Sequence, residues 1–550
     1  MPLLLLCVVL QAQSVNDVVL RAMQDELMRN LSELKAPGFE KPCFIMYGMR
    51  DEHLVTISAT MGALIESEES HPRVRTTTRV LVGDFGFNDE SLEDDLTSGP
   101  TAMDLELPVS DDYNGIRRSY WSVTDNVYRE AARHYRQHQE SLKEMDKSIK
   151  DVVHREFARS APVRIMETNP EYKLDRKVWE DRVRRLSALG EDQGSTVHNM
   201  VAMFAYQEGH SYLVSSEGSL IKTPFRTATL VVLIEGRNDH GSPVVEQIIH
   251  MARTPEQLPA EGEISREIVS LLSGLATTSP SLPEAYSGPV LYVGEAVAYA
   301  FVRSLFSGRE NLIASDFIPT SKGASFEEEF ADMSARIGRL VLHESVTIKA
   351  KPKLRTYKGI DLLGSFDVDP EGIVPANELV LIENGVLKNL MNNRTLTAAT
   401  QQANGLGQGP GVMEITTTLN DSEATLKKKL IQQAKKEGLD YAIMVKGSPL
   451  MGMGPSDVYR VDVADGKETF IRNAVVREGG ARSLRRILGT SGTYAAYNLI
   501  QMDGPQGSAA GPAMSVIAPT ALLLEEAEVQ TFRMPRQREL DYVPSPLSKK

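Results

Sequence analysis

Apolar residues fall at helical spacing over residues 17–34, "DVVLRAMQDELMRNLSEL", and predict one amphipathic helix. Past Pro42 the period drops to two in four runs, "CFIMYGM", "HLVTISAT", "GALIESEES" and "RVRTTTRVLVGD". Such alternation predicts a meander of short strands. Residues 88–112, acidic and polar with Pro100 and Pro108, read as a surface loop. From Val109 to Ala161 there is no proline; Tyr135, Leu142 and Ile149 repeat every seven residues, as do His138, Met145 and Val152. A long helix with a heptad-like seam is predicted. About 35 helical residues would span about 50 Å, enough to project or make a subunit contact, or else to pack along its own domain. Arg133, Arg136, Glu140, Lys143, Glu144, Asp146 and Lys147 form its wet face.

A proline-flanked linker at 162–175 precedes a helix at "WEDRVRRLSAL". Strands follow at "NMVAMFAYQ", "SYLVSSEGSLIKTP" and "TATLVVLIEG", the second a hairpin turning on Glu217 and Gly218. Helices are expected at "SPVVEQIIHMA" and "EISREIVSLLSGL". The Ser-, Thr- and Pro-rich stretch 276–288 reads as a domain boundary. Beyond it, "GPVLYVGEAVAYAFVRSLFSG" (288–308) is a strand running into a helix. The remainder is mostly strands and turns: "LVLIENGVLKNLM" is a hairpin pinned by Asn384 and Gly385, and "LDYAIMVKG", "VYRVDVAD", "ETFIRNAVV" and "SVIAPTALLLEEAEVQ" are strand-like.

Composition narrows the class. The chain has 550 residues, 41% hydrophobic and 24% charged, which allows a sizeable core and more than one domain. A formal charge of -14 argues against a nucleic-acid partner, whose affinity comes from neutralising phosphates. No apolar run reaches membrane-spanning length. The start "MPLLLLCVVLQAQ" (1–13) has an apolar core and then Ala12, as a signal peptide would, but no Lys or Arg before it. Export to the periplasm or outside the cell is therefore expected, with a cytoplasmic protein as the alternative. Cleavage would leave Cys43 as the one cysteine, in strand context, as a buried thiol.

The familiar catalytic motifs are missing. The chain has no Gly-x-Ser-x-Gly, Cys-x-x-Cys, Walker loop or His-Glu-x-x-His. "ANGLGQGPG" (403–411) reads as a flexible loop. His134 and His138 are one turn apart but on the charged helix, and read as a solvated pair. His343 and Glu344 lie in alternating "RLVLHESVTI", where a strand would send them to opposite faces. Asp367–Glu378, "DVDPEGIVPANE", matches a calcium-loop template, yet strand-like segments flank it instead of helices, so a strand-to-strand turn is expected.

These same residues carry a family likeness. "GSFDVDPEGIVPANELVLIENGVLKNLMNNRT" resembles the C-terminal hallmark of the TldD/PmbA family of metalloproteases, the modulator of DNA gyrase family. "SYLVSSEGSLIKTP", "YSGPVLYVGEAVAYAF" and "SVIAPTALLLEEAEV" resemble it too, in the same order, from about residue 120 to the end. The resemblance implies an α+β, two-domain protomer assembled as a dimer: after the candidate signal peptide, an N-terminal and central α/β domain at 14–284 and a β-rich C-terminal domain at 285–550. Active members carry His-Glu-x-x-x-His on the helix after the Gly-Pro strand, complete a zinc site with a downstream cysteine, and cut unfolded or modified peptides in an enclosed cleft. Laid on this chain, the motif falls near Val302, Arg303 and Ser307. None of these suits zinc: valine has no lone pair, arginine stays cationic and a neutral hydroxyl is a poor ligand. Residues 251–550 contain one histidine, His343, and no cysteine.

The expectation is a non-catalytic homologue with no cofactor, zinc being the cofactor of its active relatives. It would bind peptide and act as partner subunit to a TldD-like protease, or pair with itself. Arg303 could hold a peptide carboxylate, and Gly364, Ser365, Phe366 and Asp367 would line or buttress the cleft, or merely form a turn. Two alternatives stay open: an active zinc metallopeptidase with ligands such as His198, His210, His240 or His250, and an exported peptide-binding protein with no protease partner.

Overall fold

The computed structural model describes residues 17–92, 107–151, 154–191, 197–237, 243–275, 285–306, 311–314, 333–396, 402–447, 456–477, 480–500 and 513–531. The candidate signal peptide and most of the 276–288 boundary lie outside them. Helix α1 (Val18–Glu33) begins at Asp17, whose carboxylate accepts the Leu20 N–H at 3.0 Å. Asp112 caps α2 (Tyr113–Glu144) and Asp175 caps α3 (Arg176–Ala188) in the same way, satisfying donors that a helix start leaves open.

The N-terminal part is one seven-stranded sheet. Its strands are β1 (Pro42–Thr60), β2 (Ala63–Ser70), β3 (Arg73–Val82), β5 (Arg164–Met166), β6 (Val197–Ser215), β7 (Leu220–Arg237) and β8 (Pro243–Ala252), while β4 (Glu156–Phe157) pairs elsewhere. The two runs at the start of the expected meander form one continuous strand, because β6 pairs with β1 without a break from Met46↔Ser215 to Thr60↔Val201. The β6–β7 turn sits where Glu217 and Gly218 predict it, with Gly218 at φ +100.

Residues 243–252 are a strand, not the expected helix. Val244, Ile248 and Ala252 are buried at spacing four, a multiple of the strand period as well as close to one helical turn. Pairing with β7 along the full length decides the matter, and the β-branched Val244, Val245, Ile248 and Ile249 suit it. Helix α4 (Glu261–Leu275) follows as predicted.

The long helix ends at Glu144, so Ile149 lies beyond it and Val152 outside the described residues. It does not project. Ile116, Tyr120, Val123, Val127, Tyr128 and Ala131 pack it on α1 and the sheet, along its own part of the molecule. Nor are His134 and His138 a solvated pair, since His138 is buried beside Phe87 with its Nδ1 3.3 Å from the Asn88 carbonyl.

Two six-stranded sheets build the C-terminal part. The first runs β19 (Glu468–Arg477), β18 (Ser456–Asp462), β17 (Tyr441–Val445), β9 (Tyr286–Val293), β23 (Ala521–Thr531), β20 (Ile487–Thr490). The second runs β14 (Val386–Leu387), β13 (Leu379–Glu383), β10 (Val346–Ala350), β16 (Val412–Thr417), β22 (Ala513–Pro519), β21 (Tyr494–Ile500). Helix α5 (Glu295–Phe306) lies between the sheets and shares one core with both. Helix α6 (Glu423–Lys436), absent from the expected strand-and-turn pattern, covers the other face of the first sheet through Leu426, Leu430 and Ala434. A small ribbon, β11 (Thr356–Tyr357) with β12 (Ile360–Asp361), backs the second sheet. The molecule is thus an α+β protein with sheets in both parts.

The β13–β14 hairpin turns on Asn384 (φ 50) and Gly385 (φ 76), as predicted. A Cβ on Gly385 would lie 2.5 Å from the Leu342 carbonyl. Gly385→Ala is expected to cost about 1–3 kcal/mol, read as a lowered Tm, since neither the positive φ nor the backbone contact can relax cheaply. An unchanged Tm would contradict this turn.

Residues far apart in sequence hold the two parts together through non-covalent contacts. Strand β15 (Thr395–Leu396) pairs with β4. Arg394, 1% exposed, donates to the Ala158 carbonyl at 2.9 and 2.6 Å, pairs with Glu217, and lies over the rings of Phe44 and Phe157. Arg79 meets Glu371 at 2.5 Å and also Glu90. Burial alone would lower Arg79, but these carboxylates outweigh it and hold the guanidinium above its ordinary value.

Candidate functional site

The strand-to-helix passage at β9–α5 turns on Gly294, whose φ of 65 favours glycine. Val297, Ala298, Ala300, Phe301 and Leu305 are all buried, so α5 is a core helix as much as a site helix. Val302 packs partly buried against the same core, and Arg303 is half-buried on the helix. Ser307 lies outside the described residues. At the start of α5, burial and then the like charge of Asp457 hold the Glu295 carboxyl above its ordinary value. Sequence reasoning passed over this acidic pair, whose members are 162 residues apart (457 minus 295).

His343 is not in a strand. It occupies the loop before β10, where its Nδ1 lies 2.8 Å from the Ser345 hydroxyl and takes the Ser345 N–H at 3.2 Å. The alternation of "RLVLHESVTI" becomes a strand only from Val346.

The structure gathers Gly364, Ser365, Phe366 and Asp367 into one turn over β22. Gly364 donates its N–H to the Ser515 hydroxyl at 3.0 Å. Ser365 donates to the Leu362 carbonyl and accepts from Arg253 at 2.9 Å and Arg355 at 3.0 Å. The Phe366 ring fills the space a side chain at Gly411 would need, 2.6 Å from its Cβ position. Asp367, 42% exposed, is paired with the equally open Arg355. Arg303 belongs to a different element. Burial and the like charge of Arg355 hold Arg253 below its ordinary value, so two guanidiniums share this turn with one exposed carboxylate. Their importance was not visible in sequence, because Arg253 comes from the N-terminal part, 112 residues before Ser365.

The calcium-like segment is a turn, as expected. Asp367 pairs with Arg355; Asp369 points inward and accepts the N–H groups of Glu371 and Ile373 at 3.0 and 2.7 Å. Glu371 is held by Arg79, and Glu378 by Lys349 and Lys351. Each carboxylate has a separate cationic or backbone partner, the opposite of a convergent ion cage. Glycines 405, 409 and 411 of "ANGLGQGPG" adopt positive φ, and Asn404 locks that segment to Asn392 through 2.9 and 3.2 Å bonds.

A zinc ion of the kind active TldD/PmbA proteases hold needs imidazole or thiolate donors around α5. The donor set does not fit: Val302 and Arg303 stand on the helix, His343 is bonded within its own loop, and residues 251–550 have no cysteine. The alternative ligands of the N-terminal part do not gather either, where they are described. His198 and His210 are 12 residues apart on β6, about 40 Å along a strand, His250 pairs with Glu267 at 2.8 Å, and His240 lies outside the described residues.

A core helix caught between two sheets, joined to a helix-covered N-terminal sheet, defines the architecture of a TldD/TldE-type protein. Residues 309–473 match the PmbA/TldA metallopeptidase C-terminal domain. Among solved structures, a protein of Thermotoga maritima described as a DNA gyrase modulator superposes with a TM-score of 0.55 at 15% identity, covering 92% of this chain and 100% of that one. A counterpart from Bacteroides thetaiotaomicron gives 0.55 at 10% identity over 94% and 98%. TldE from Thermococcus kodakarensis gives 0.51 at 13% identity over 92% and 100%. No curated protein matches the chain. Residues 309–473 thus carry the C-terminal domain of PmbA/TldA metallopeptidases, and the chain as a whole adopts the fold of TldD/TldE-type proteins.

Proposed function

We propose that this chain is a non-catalytic TldD/PmbA homologue that binds peptide and serves as partner subunit to an active protease of the same fold, or pairs with itself. The observation that carries the reading is chemical: from Met251 to Lys550 there is one imidazole and no thiol, in the part where active relatives hold zinc. The turn from Gly364 to Asp367 supports a peptide-binding role, because Arg355 is 46% exposed and could exchange Asp367 for a peptide carboxylate. Arg303 offers a second cation on α5. Export remains part of this reading, on the apolar start of the chain.

Expression of the tagged full chain in its own organism should co-purify an intact His-Glu-x-x-x-His homologue or a second copy of itself. Peptide cleavage is expected from the complex with the homologue, and not from the isolated chain or its self-pair. Chelator-sensitive cleavage by the isolated chain would overturn the proposal.

A further inference from the structure

The helix-covered face of the N-terminal sheet is apolar at both ends and polar across the middle. Along β1 the residues on that face read Ile45, Tyr47, Met49, then Asp51 and His53, then Val55, Ile57, Ala59. On β6 the same break falls at Glu208 and His210, between Tyr206 and Tyr212. Direct pairing sets His53 opposite Glu208 and Asp51 opposite His210, so the breaks align into a belt across the sheet. The end clusters are roofed by α1 with α2 and by α3 with α4, and the belt falls between them.

At the edge of this belt His53, Glu69 and His71 each bring one donor atom to within 4.8 Å of the others. Among the described residues they are the one such group of histidine, cysteine and carboxylate. His53 Nε2 is 2.8 Å from Glu69 Oε1, and the His53 and His71 rings stack at 4.6 Å. The backbone fixes their positions. Glu69 lies across from Val55, diagonal to His53, and the short β2–β3 connection bearing His71 is pinned where Glu52 donates its N–H to Pro72 O at 3.0 Å. Outer partners are also present. Glu208, buried and held by Arg226 at 2.7 Å, faces His53 Nδ1 at 3.7 Å, and Arg176 reaches the second oxygen of Glu69 at 3.3 Å.

The geometry points to a divalent transition-metal site of the zinc type, made by His53, Glu69 and His71. Two imidazoles and one carboxylate are zinc donors, and three protein ligands leave a position for water. Ligand atoms around tetrahedral zinc are about 3.3 Å apart, so the His53–Glu69 bond opens by about half an ångström and His71 closes in. Glu208 stands behind His53, 3.7 Å from its Nδ1, where a small closure would give the carboxylate–histidine arrangement that orients a ligating ring. The ion would clip the middle of β1 to the β2–β3 connection. This inference is independent of the partner-subunit reading.

The test is zinc binding to the untagged full chain by calorimetry and elemental analysis after dialysis. One zinc per chain is expected, with a rise in Tm; His71→Ala and Glu69→Gln, both at exposed positions, should each weaken binding at least about tenfold. His250→Ala, which removes the separate His250–Glu267 pair, should leave it unchanged. Absence of stoichiometric zinc, or equal affinity in the His71 and Glu69 variants, overturns the site. Cleavage of peptide by the isolated chain would sink the partner-subunit reading while leaving this site standing.

Discussion

Arg394→Ala should lower the free energy of unfolding by about 3–5 kcal/mol, measured by urea denaturation of the full chain. The guanidinium is 1% exposed, and its removal strands two groups from the other part of the molecule. One is the Ala158 carbonyl, which now accepts two N–H bonds; the other is the Glu217 carboxylate, itself only 14% exposed. An unpaired buried charge costs more than the pair contributes, so the loss exceeds that of an ordinary hydrogen bond. The rings of Phe44 and Phe157, in contact with each other, also lose the cation that lies over both. Adding Glu217→Gln to Arg394→Ala should recover part of the loss by removing the stranded charge. A single variant within about 1 kcal/mol of the parent would show that the parts are not held together here.

Asp369→Asn should separate from the parent as pH rises. Burial pushes the Asp369 carboxyl up to about 7, despite the N–H groups of Ile373 and Glu371 that favour its charged form. The ordinary value is 3.8, so below pH 4 the group is protonated both folded and unfolded and its contribution to stability is intact. Between about pH 4 and 7 the unfolded chain gives up the proton while the folded chain keeps it, and stability falls. Three pH units of difference are worth at most about 4 kcal/mol. Asparagine keeps the acceptor oxygen without the charge. The variant should match the parent near pH 4 and exceed its stability by about 2–4 kcal/mol at pH 8. Stability differences that do not change with pH would contradict the buried, uncharged state.

Much of this architecture was legible from periodicity, and the exceptions have physical causes. α1, α3 and α4, the β6–β7 hairpin, the β9–α5 passage and the Asn384–Gly385 turn all stand where local chemistry put them, because each rests on residues close in sequence. Residues 243–252 were ambiguous locally and were decided by β7. α6 left a readable signal, Ser422 at the cap and Leu426, Leu430 and Ala434 at helical spacing, hidden among lysines within a strand-rich context. The site was less legible. The turn at Gly364–Asp367 could be read as a turn, but Arg253 reaches it from another part of the chain. The polar belt had a signal too: Asp51 and His53 interrupt an apolar alternation. Only pairing with Glu208 and His210 shows that the interruption is aligned.

The Arg394 junction also has a consequence for synthesis. Glu217 emerges from the ribosome 177 residues ahead of the arginine that neutralises it, roughly 10–35 s at ordinary translation rates. Throughout that interval the cluster of Phe44, Phe157, Leu213 and Ile221 lacks the later half's Val368 and the Arg394 cation above its rings. The nascent first half can bury most of that flank against its own residues, but the Glu217 charge and the Val368 contact wait for the later half.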